Sequence, residues 1–343
     1  MTAGARGRKV GSTGGVRRRP GRGTARARFG WGSGVALPRV GVLGVGHFGR
    51  FHAVKLAARG CLAALHDASA DRAAQVAAEL GCPALDAAGV IAASDAVLVT
   101  APTAYHHALG LAVLRAGRHL FVEKPMAATL DQARELEAEA KARGLVLQVG
   151  HIERYSAALR AVKAAAAGSQ PLALEATRVA PFRPRSLDVS VVMDLMVHDL
   201  DLVLDLAGSP LVSVQAAGTR VVSDKLDFAV AQLGFANGAR ATVTASRVSV
   251  ALERRLRLLG AQGEMRVDFL ARSLEMLRPG GAEPRADMPG WGLDKATWTD
   301  HDSLEAEHAA FLASVTEGAA VEADAAVGLR ALDACLRVEQ ACG

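Results

Sequence analysis

The chain has 343 residues, of which 22% are charged and 50% are hydrophobic, and its formal net charge is +5. This length is enough for about two domains with full hydrophobic cores, and the composition excludes disordered and fibrous proteins. Charged residues or histidines interrupt every apolar run before it reaches the roughly 18–20 residues of a membrane span. The four cysteines form no C-x-x-C pair. This argues against structural zinc and a disulfide framework, so the expected location is the reducing cytoplasm.

The positive charge is concentrated at the start of the chain. Residues 1–39 contain ten Arg and Lys residues and no Asp or Glu, so that 30 basic and 35 acidic residues remain in residues 40–343. We interpret residues 1–38 as a disordered, Gly- and Arg-rich basic tail. The alternatives are an organelle-targeting segment, a nucleic-acid contact and a misassigned translation start. The tail lacks the amphipathic pattern of the first and the interleaved aromatic residues of the second, so nucleic acid is not expected as a partner.

A dinucleotide-binding pattern follows the tail directly. Residues 40–43 form a short apolar strand, residues 44–49 read GVGHFG, and an amphipathic helix follows to residue 59. A G-x-G-x-x-G motif between a strand and a helix predicts a phosphate cradle. Gly44 permits the tight turn, Gly46 lets the backbone approach a pyrophosphate, and Gly49 allows the helix to pack on the strand. The N–H groups and the dipole of the helix N-terminus then favour the phosphates.

An acidic residue follows the second predicted strand, residues 61–65. Asp67 comes eighteen residues after Gly49, which is close to the spacing of a ribose-binding carboxylate. Such a carboxylate accepts hydrogen bonds from the ribose hydroxyls and repels a 2′-phosphate, so the predicted cofactor is NAD rather than NADP. The alternative is that Asp67 caps the helix that begins near residue 70.

Strands and helices alternate through the rest of this half. Predicted strands 95–100, 119–122 and 145–149 alternate with predicted helices 105–116 and 130–143. This order predicts an α/β fold with a doubly wound parallel sheet, whose ligands bind at the carboxyl ends of the strands. Thr103 and Lys124 each follow a strand and are expected to face the cofactor crevice. We assign residues 39–160 to this Rossmann domain.

A polar stripe marks a predicted helix in the second half. Asp194, His198, Asp201 and Asp205 recur at spacings of four, three and four in an otherwise apolar segment, which places them on one helical face. The stripe is either a solvated face or an acid–base site. We favour the site, because His titrates near neutral pH and Asp194 lies one turn away, where it can orient the imidazole.

Strands dominate the chain after Pro210. Predicted strands cover residues 211–216, 228–235, 239–246 and 254–259, with a hairpin turn at Asn237-Gly238. Residues 278–298 are predicted to be a loop, and residues 304–316 and 325–341 to be helices. We therefore expect residues 161–343 to form an α+β domain with a large, mainly antiparallel open sheet. This domain would bind the substrate and pair the chain into a homo-oligomer, a dimer or a tetramer.

Together these motifs resemble the glucose-fructose oxidoreductase / inositol dehydrogenase / rhizopine catabolism (Gfo/Idh/MocA) family over residues 39–343. The residues that carry the resemblance are the glycine loop, Thr103, the turn Glu123-Lys124-Pro125 and the helix with Asp194 and His198. The resemblance implies a metal-free, NAD-dependent dehydrogenase acting on CH–OH groups, with Lys124, His198 and Asp194 at the reacting hydroxyl and a cis Lys124–Pro125 bond. The implied cofactor-binding residues are Gly44, Gly46, His47, Phe48, Gly49, Asp67, Thr103, Glu123 and Lys124.

Residues 149–155 and 181–189 narrow the resemblance to one branch of this family. Members of that branch oxidise the 3-hydroxyl of UDP-N-acetylglucosamine before an aminotransferase acts, on the route to amide-linked lipid A. The implied substrate is a nucleotide sugar, and the implied substrate-binding residues are Arg154, Tyr155, Arg183, Arg185, Asp194 and His198. The three arginines suit a diphosphate, although each is also compatible with an ordinary surface position.

Two other functions are compatible with the same fold. One is a dehydrogenase of a free polyol or sugar such as inositol or glucose. The other is a non-catalytic regulator that senses NAD. A sensor needs only the dinucleotide cradle, so the presence of Lys124, Asp194 and His198 favours an enzyme.

Overall fold

The computed structural model describes residues 1, 37–166, 170–184, 187, 189–299 and 301–343. The predicted basic tail, apart from residues 1, 37 and 38, lies outside this part of the chain, and so does Arg185. No helix among the described residues combines the length and the apolar character that a membrane crossing requires. Nor does the described part of the chain hold a group of three His, Cys, Asp or Glu side chains arranged for a metal ion.

The first half folds around a five-stranded parallel sheet with the order β2-β1-β3-β4-β5. β1 and β3 are continuous apolar runs, and β4 and β5 are buried at every position except His119, as expected for strands covered on both faces. The strands are β1 Val40–Leu43, β2 Leu62–His66, β3 Ala96–Val99, β4 His119–Glu123 and β5 Leu147–Gly150. The helices are α1 His47–Arg59, α2 Ala70–Leu80, α3 Ala87–Ala93, α4 His106–Arg115 and α5 Leu130–Arg143. The predicted parallel, doubly wound sheet is confirmed.

The strand order reverses between β1 and β3. In open α/β sheets a ligand crevice opens at such a reversal, outside the carboxyl ends of the strands. The glycine motif follows β1, and the 3₁₀ turn Thr103–Tyr105 follows the end of β3. The turn that carries Lys124 follows β4 on the same edge of the sheet.

The second half contains a nine-stranded sheet with the order β13-β14-β12-β11-β10-β6-β9-β8-β7. Neighbouring strands are antiparallel except for β6 and β9, so the predicted mainly antiparallel sheet is confirmed. Its strands are β6 Ala173–Val179, β7 Leu211–Thr219, β8 Phe228–Phe235, β9 Arg240–Ser246, β10 Glu253–Gly260, β11 Gly263–Asp268, β12 Ser273–Pro279, β13 Glu283–Pro284 and β14 Trp291–Thr297.

The loop predicted over residues 278–298 is wrong in part. β14 pairs along its whole length with β12, and β13 adds a short strand to its other side. Of the Gly and Pro residues that suggested a loop, Gly280, Gly281, Pro289 and Gly290 lie in the turns between these strands. β14 lies near the sheet edge and is half exposed, so it lacks the apolar alternation that identifies a covered strand.

The described residues of the second half also form helices, and three of these begin at side-chain caps. The helices are α6 Ala157–Ala165, a π-helical turn Val192–Met196, α7 Val197–Ala207, α8 Ser303–Glu317 and α9 Ala325–Cys342. Asp302 and Asp324 accept main-chain N–H bonds at the starts of α8 and α9, as N-cap residues do. α9 packs against β5 and α5 of the first half as well as β7 and α7 of the second. The C-terminal helix therefore fastens the two sheets together.

Candidate active site

The glycine loop has the close contacts that a dinucleotide cradle requires. Gly44 has a φ of 97°, a left-handed conformation that favours glycine, and a Cβ there would lie 2.6 Å from the backbone nitrogen of Ala101. A Cβ on Gly49 would lie 1.9 Å from the Gly44 carbonyl oxygen. A larger residue at Gly44 would push the loop away from the segment after β3, and one at Gly49 would push α1 away from the loop that follows β1.

Gly46 has the opposite surroundings. A Cβ built on it would meet nothing within 4 Å, so its backbone faces open space at the start of α1. No side chain caps this helix, and the first N–H groups of a helix have no partners within it. His47 and Phe48 are exposed on the same turn. This cradle fits the pyrophosphate of a dinucleotide.

Asp67 lies at the end of β2, beside the glycine loop. Its carboxylate accepts the N–H of Val45 at 2.9 Å and the N–H of Ser69 at 2.9 Å, and Arg72 lies 3.3 Å away. Ser69, rather than Asp67, is the N-cap of α2. The capping alternative is therefore wrong. Asp67 instead joins the glycine loop to the end of β2, at the position where the ribose would follow the pyrophosphate.

Lys124 and Asp194 connect the two halves of the molecule. The Lys124 Nζ donates a hydrogen bond to the Asp194 main-chain oxygen at 2.6 Å and lies 3.5 Å from its carboxylate. Both side chains are about 15% exposed, so each remains partly accessible at the place where the two halves meet, which we call the recess. Asp194 lies within the π-helical turn, a feature that frequently occurs at functional sites. The Lys124–Pro125 bond is cis, as the family resemblance implies.

His198 lies one turn further along the same helix. Burial lowers the pKa of its imidazole well below 6.5, and the positive charges of Lys124 and Arg178 lower it further. The imidazole is therefore neutral at physiological pH, the state in which it can accept a proton. Its Nδ1 atom is buried and has no hydrogen-bond partner among the described residues.

Comparisons with known proteins agree with this geometry. Residues 38–151 match the oxidoreductase family with an NAD-binding Rossmann fold, and residues 159–266 match the GFO/IDH/MocA C-terminal domain. A UDP-N-acetylglucosamine 3-dehydrogenase from Acidithiobacillus ferrooxidans is 42% identical over 307 residues, which cover 88% of this chain and 96% of that enzyme. The chain belongs to the Gfo/Idh/MocA family.

Two further comparisons place the chain within this family. The solved structure of the Acidithiobacillus ferrooxidans enzyme superposes with a TM-score of 0.85 at 41% identity and covers 90% of this chain and 98% of its own. The scyllo-inositol 2-dehydrogenase (NAD(+)) of Bacillus subtilis is 28% identical over 258 residues, which are 68% of this chain and 74% of that enzyme. The chain is thus an NAD-binding oxidoreductase of this family.

The C-terminal half of the polar stripe, which holds Asp201 and Asp205, forms a buried ion-pair network. Asp201 accepts bonds from Arg154 at 2.7 and 2.8 Å, and Asp205 accepts a third at 3.0 Å. His151 lies 3.7 Å from Asp201, and Lys163 lies 2.8 Å from Asp205. Arg154 is 4% exposed, so it is not available to a diphosphate as we predicted. It instead fixes α7 against the segment that follows β5.

The other residues that were predicted to bind the substrate differ in their exposure. Tyr155 is 2% exposed and lies in the core, and burial raises the pKa of its phenol, so the structure does not place its side chain at the recess. Arg183 is exposed, and Phe182 beside it is 43% exposed. Arg185 lies outside the described residues. Thr103 is partly exposed at the edge of the crevice, and its contact with the cofactor stays a prediction.

Glu123 is a predicted cofactor-binding residue whose side chain is buried. The side chain is 9% exposed, lies 3.0 Å from the His52 Nε2 and accepts the Lys124 N–H at 3.1 Å. The carboxylate therefore points into the protein rather than into the crevice, so any cofactor contact of Glu123 would come from its main chain.

Two arginines near His198 were missed at the sequence level. Arg178, on β6, binds Asp199 at 2.8 and 3.1 Å and Glu153 at 3.0 Å. Arg254 is opposite Arg178 in the register of β10 with β6, and its charge also lowers the pKa of His198. Residues 173–179 carry an alternating pattern, and the assignment of that strand would have placed Arg178 on a covered face.

Proposed function

We propose that this chain oxidises the 3-hydroxyl of UDP-N-acetylglucosamine to a ketone with NAD⁺ as the oxidant. The observation that carries this proposal is the 42% identity to a UDP-N-acetylglucosamine 3-dehydrogenase over 96% of that enzyme. The match to a scyllo-inositol 2-dehydrogenase is both weaker and shorter, at 28% over 68% of this chain. A nucleotide-sugar substrate is therefore favoured over a free polyol.

The oxidation releases the hydroxyl proton and places negative charge on the hydroxyl oxygen. The recess supplies one group for each. The glycine loop at the start of α1 would hold NAD⁺, which would supply the acceptor for the hydride of the carbinol carbon. The neutral His198 accepts the hydroxyl proton, so that the C–O bond becomes a carbonyl. The Lys124 ammonium donates a hydrogen bond to the oxygen as negative charge develops on it, and Asp194 holds that ammonium in place.

The product suggests the class of the next reaction. A ketone on a sugar ring is the acceptor that an aminotransferase needs, so we include coupling to such an enzyme, on a route to amide-linked lipid A, in the proposal. We also propose a homo-oligomer, since the alternating burial in β6 and β7 leaves part of one sheet face uncovered.

The test is a substrate panel with the purified protein. NADH formation is followed by absorbance with UDP-N-acetylglucosamine, UDP-glucose, N-acetylglucosamine and myo-inositol, and the product is identified by mass spectrometry. We expect the highest kcat/KM with UDP-N-acetylglucosamine and a 3-keto product. A higher kcat/KM with myo-inositol would establish a polyol dehydrogenase instead. The absence of NADH formation with every substrate, in protein that binds NADH, would favour a regulator.

A further inference from the structure

A chain of hydrogen bonds runs through the protein interior from α8 to the catalytic turn. The His308 Nε2 lies 2.8 Å from the His52 Nδ1, and the His52 Nε2 lies 3.0 Å from the Glu123 carboxylate. The other oxygen of that carboxylate accepts the main-chain N–H of Lys124 at 3.1 Å. Each of the three residues is at most 7% exposed. This hydrogen-bond chain therefore joins three elements that are distant in sequence: α8, α1 and the end of β4.

Packing restricts this chain to one arrangement. The His52 ring makes edge contacts with Phe48 and Phe121, with ring centroids 5.4 Å apart in both pairs. Glu123 occupies the space above Gly150 on the neighbouring strand, where a Cβ would lie 2.6 Å from its carboxylate. Neither side chain can turn away without displacing its neighbours.

The ionisation of Glu123 sets the direction of its hydrogen bond with His52. Burial opposes the ionisation of Glu123, but the hydrogen bond from His52 and the nearby Lys124 charge outweigh it and lower the pKa of the carboxyl. Burial lowers the pKa of His308 well below its usual value, so that imidazole is neutral. A carboxylate can only accept hydrogen bonds. The Nε2–H of His52 therefore donates to Glu123, and its Nδ1 shares a hydrogen bond with the Nε2 of His308.

The location of this hydrogen-bond chain suggests its role. α1 begins at the glycine loop, where the pyrophosphate is expected, and Lys124 carries the ammonium expected at the reacting oxygen. Glu123 and His52 hold these two elements in register, and His308 fixes His52 from the second half of the molecule. A shift of about 1 Å in a reacting group can lower the rate of catalysis about 100-fold.

We propose that His52 and His308 are positioning residues which, through Glu123, fix the Lys124 turn relative to the cofactor-binding helix. This inference rests on the proposed function in one respect, since it needs Lys124 to act on the substrate oxygen. It does not depend on which CH–OH substrate the enzyme oxidises.

Matched substitutions at His52 separate positioning from simple packing. In His52→Gln the side-chain amide stands near the Nε2 position and retains the donor to Glu123, whereas in His52→Asn it stands near Nδ1 and retains only the contact with His308. Each variant is compared with wild type for kcat, for KM, for the Kd of NADH by fluorescence titration, and for Tm. The substrate is whichever member of the panel the wild type oxidises best, so a failed substrate assignment does not confound this test.

We expect His52→Asn to lower kcat about 10- to 100-fold, while the Kd of NADH changes less than about threefold. We expect His52→Gln to retain kcat within about fivefold of wild type, although the two variants have similar Tm values. Equal losses of kcat in both variants, or a fall in Tm with kcat unchanged, would overturn the positioning role.

A spectroscopic measurement on the cofactor-free protein is independent of activity. With ¹⁵N-labelled histidine, we expect the NMR signals of His52 to show a protonated Nε2. The Nε2 proton should be protected from exchange in wild type and lose that protection in Glu123→Ala. An unprotonated Nε2 in the wild type would contradict the proposed direction of the hydrogen bond with Glu123.

Discussion

The Nζ of Lys124 donates a hydrogen bond of 2.6 Å to the main-chain oxygen of Asp194, which lies 70 residues away in sequence. Lys124 follows a strand of the first sheet, and Asp194 lies in the π-helical turn that packs on the second. This bond therefore brings the ammonium of one half to the helix of the other half that carries the proposed base. The proposed mechanism requires both groups at one oxygen, so we expect activity to depend on each separately.

Substitution of the proposed base should remove chemistry and leave cofactor binding intact. In His198→Asn no group can accept the hydroxyl proton, and we expect kcat to fall about 10²- to 10⁴-fold. The Kd of NADH, measured by fluorescence titration, should stay within about threefold of wild type because the glycine loop is distant in sequence and unchanged. A variant that retains most of its kcat would exclude His198 as the base.

The lowered pKa of His198 predicts the pH dependence of the reaction. Because the neutral imidazole is the active form, kcat/KM should stay constant as the pH falls to 6.5 and decline only below it. Lys124→Met removes one of the positive charges that lower this pKa, so the His198 titration followed by NMR should move to higher pH in that variant. An acid limb of kcat/KM at or above pH 6.5 in wild type would contradict the assignment.

Local patterns were sufficient to predict the glycine loop that follows the first strand. Gly44 and Gly49 have contacts that only a missing Cβ allows, and such steric requirements recur wherever a helix starts directly after a buried strand. Asp194 and His198 were likewise predicted from their spacing. Helical spacing shows which residues share a face, and here that face meets Lys124.

Spacing could not reveal the partners of that face. Asp201 and Asp205 belong to the same stripe as His198, yet they pair with Arg154, which is 47 residues from Asp201. His52 and His308 are 256 residues apart. Such pairs depend on how the two sheets pack together, which no periodicity in either segment specifies.

The role of Asp67 in cofactor choice can be tested by its removal. In Asp67→Ser the carboxylate that would repel a 2′-phosphate is lost, and Arg72, 52% exposed and 3.3 Å away, is released from its partner. A hydrogen bond to a charged group contributes about 1.5–3 kcal/mol, so the ratio of kcat/KM for NADP to that for NAD should rise about 10- to 100-fold. Asp67→Ser/Arg72→Met should lose this gain. An unchanged ratio in the single variant would show that Asp67 does not select the cofactor.

The ion pair between Arg154 and Asp201 should contribute strongly to stability. Both side chains are at most 4% exposed, and removal of one partner leaves an uncompensated buried charge, which costs about 3–5 kcal/mol. We expect urea unfolding to show a loss of this size in Arg154→Met, with part of it recovered in Arg154→Met/Asp201→Leu. The control is Arg134→Met, which breaks an exposed pair with Asp131 and should cost less than about 1 kcal/mol.

The burial of the Glu307 carboxyl group predicts that the folded protein loses stability as the pH rises. The side chain is fully buried, and neither carboxyl oxygen has a hydrogen-bond partner among the described residues. Burial raises its pKa well above 4.5, and the charges of Glu123 and Glu153 raise it further. The folded protein therefore retains a proton that the unfolded chain releases above pH 4.5. The resulting stability is complete below that pH and is lost as the pH rises through the folded-state pKa.

Glu307→Gln keeps the shape of this side chain and removes its titration. We expect the free energy of unfolding of the variant to exceed that of wild type by a margin that grows between pH 5 and pH 9. The slope should be at most about 1.4 kcal/mol per pH unit, the limit for one proton. Urea unfolding at three pH values measures the margin, and Glu317→Gln, at an exposed position on the same helix, is the control. A margin that is constant with pH would show that Glu307 is ionised in the folded protein.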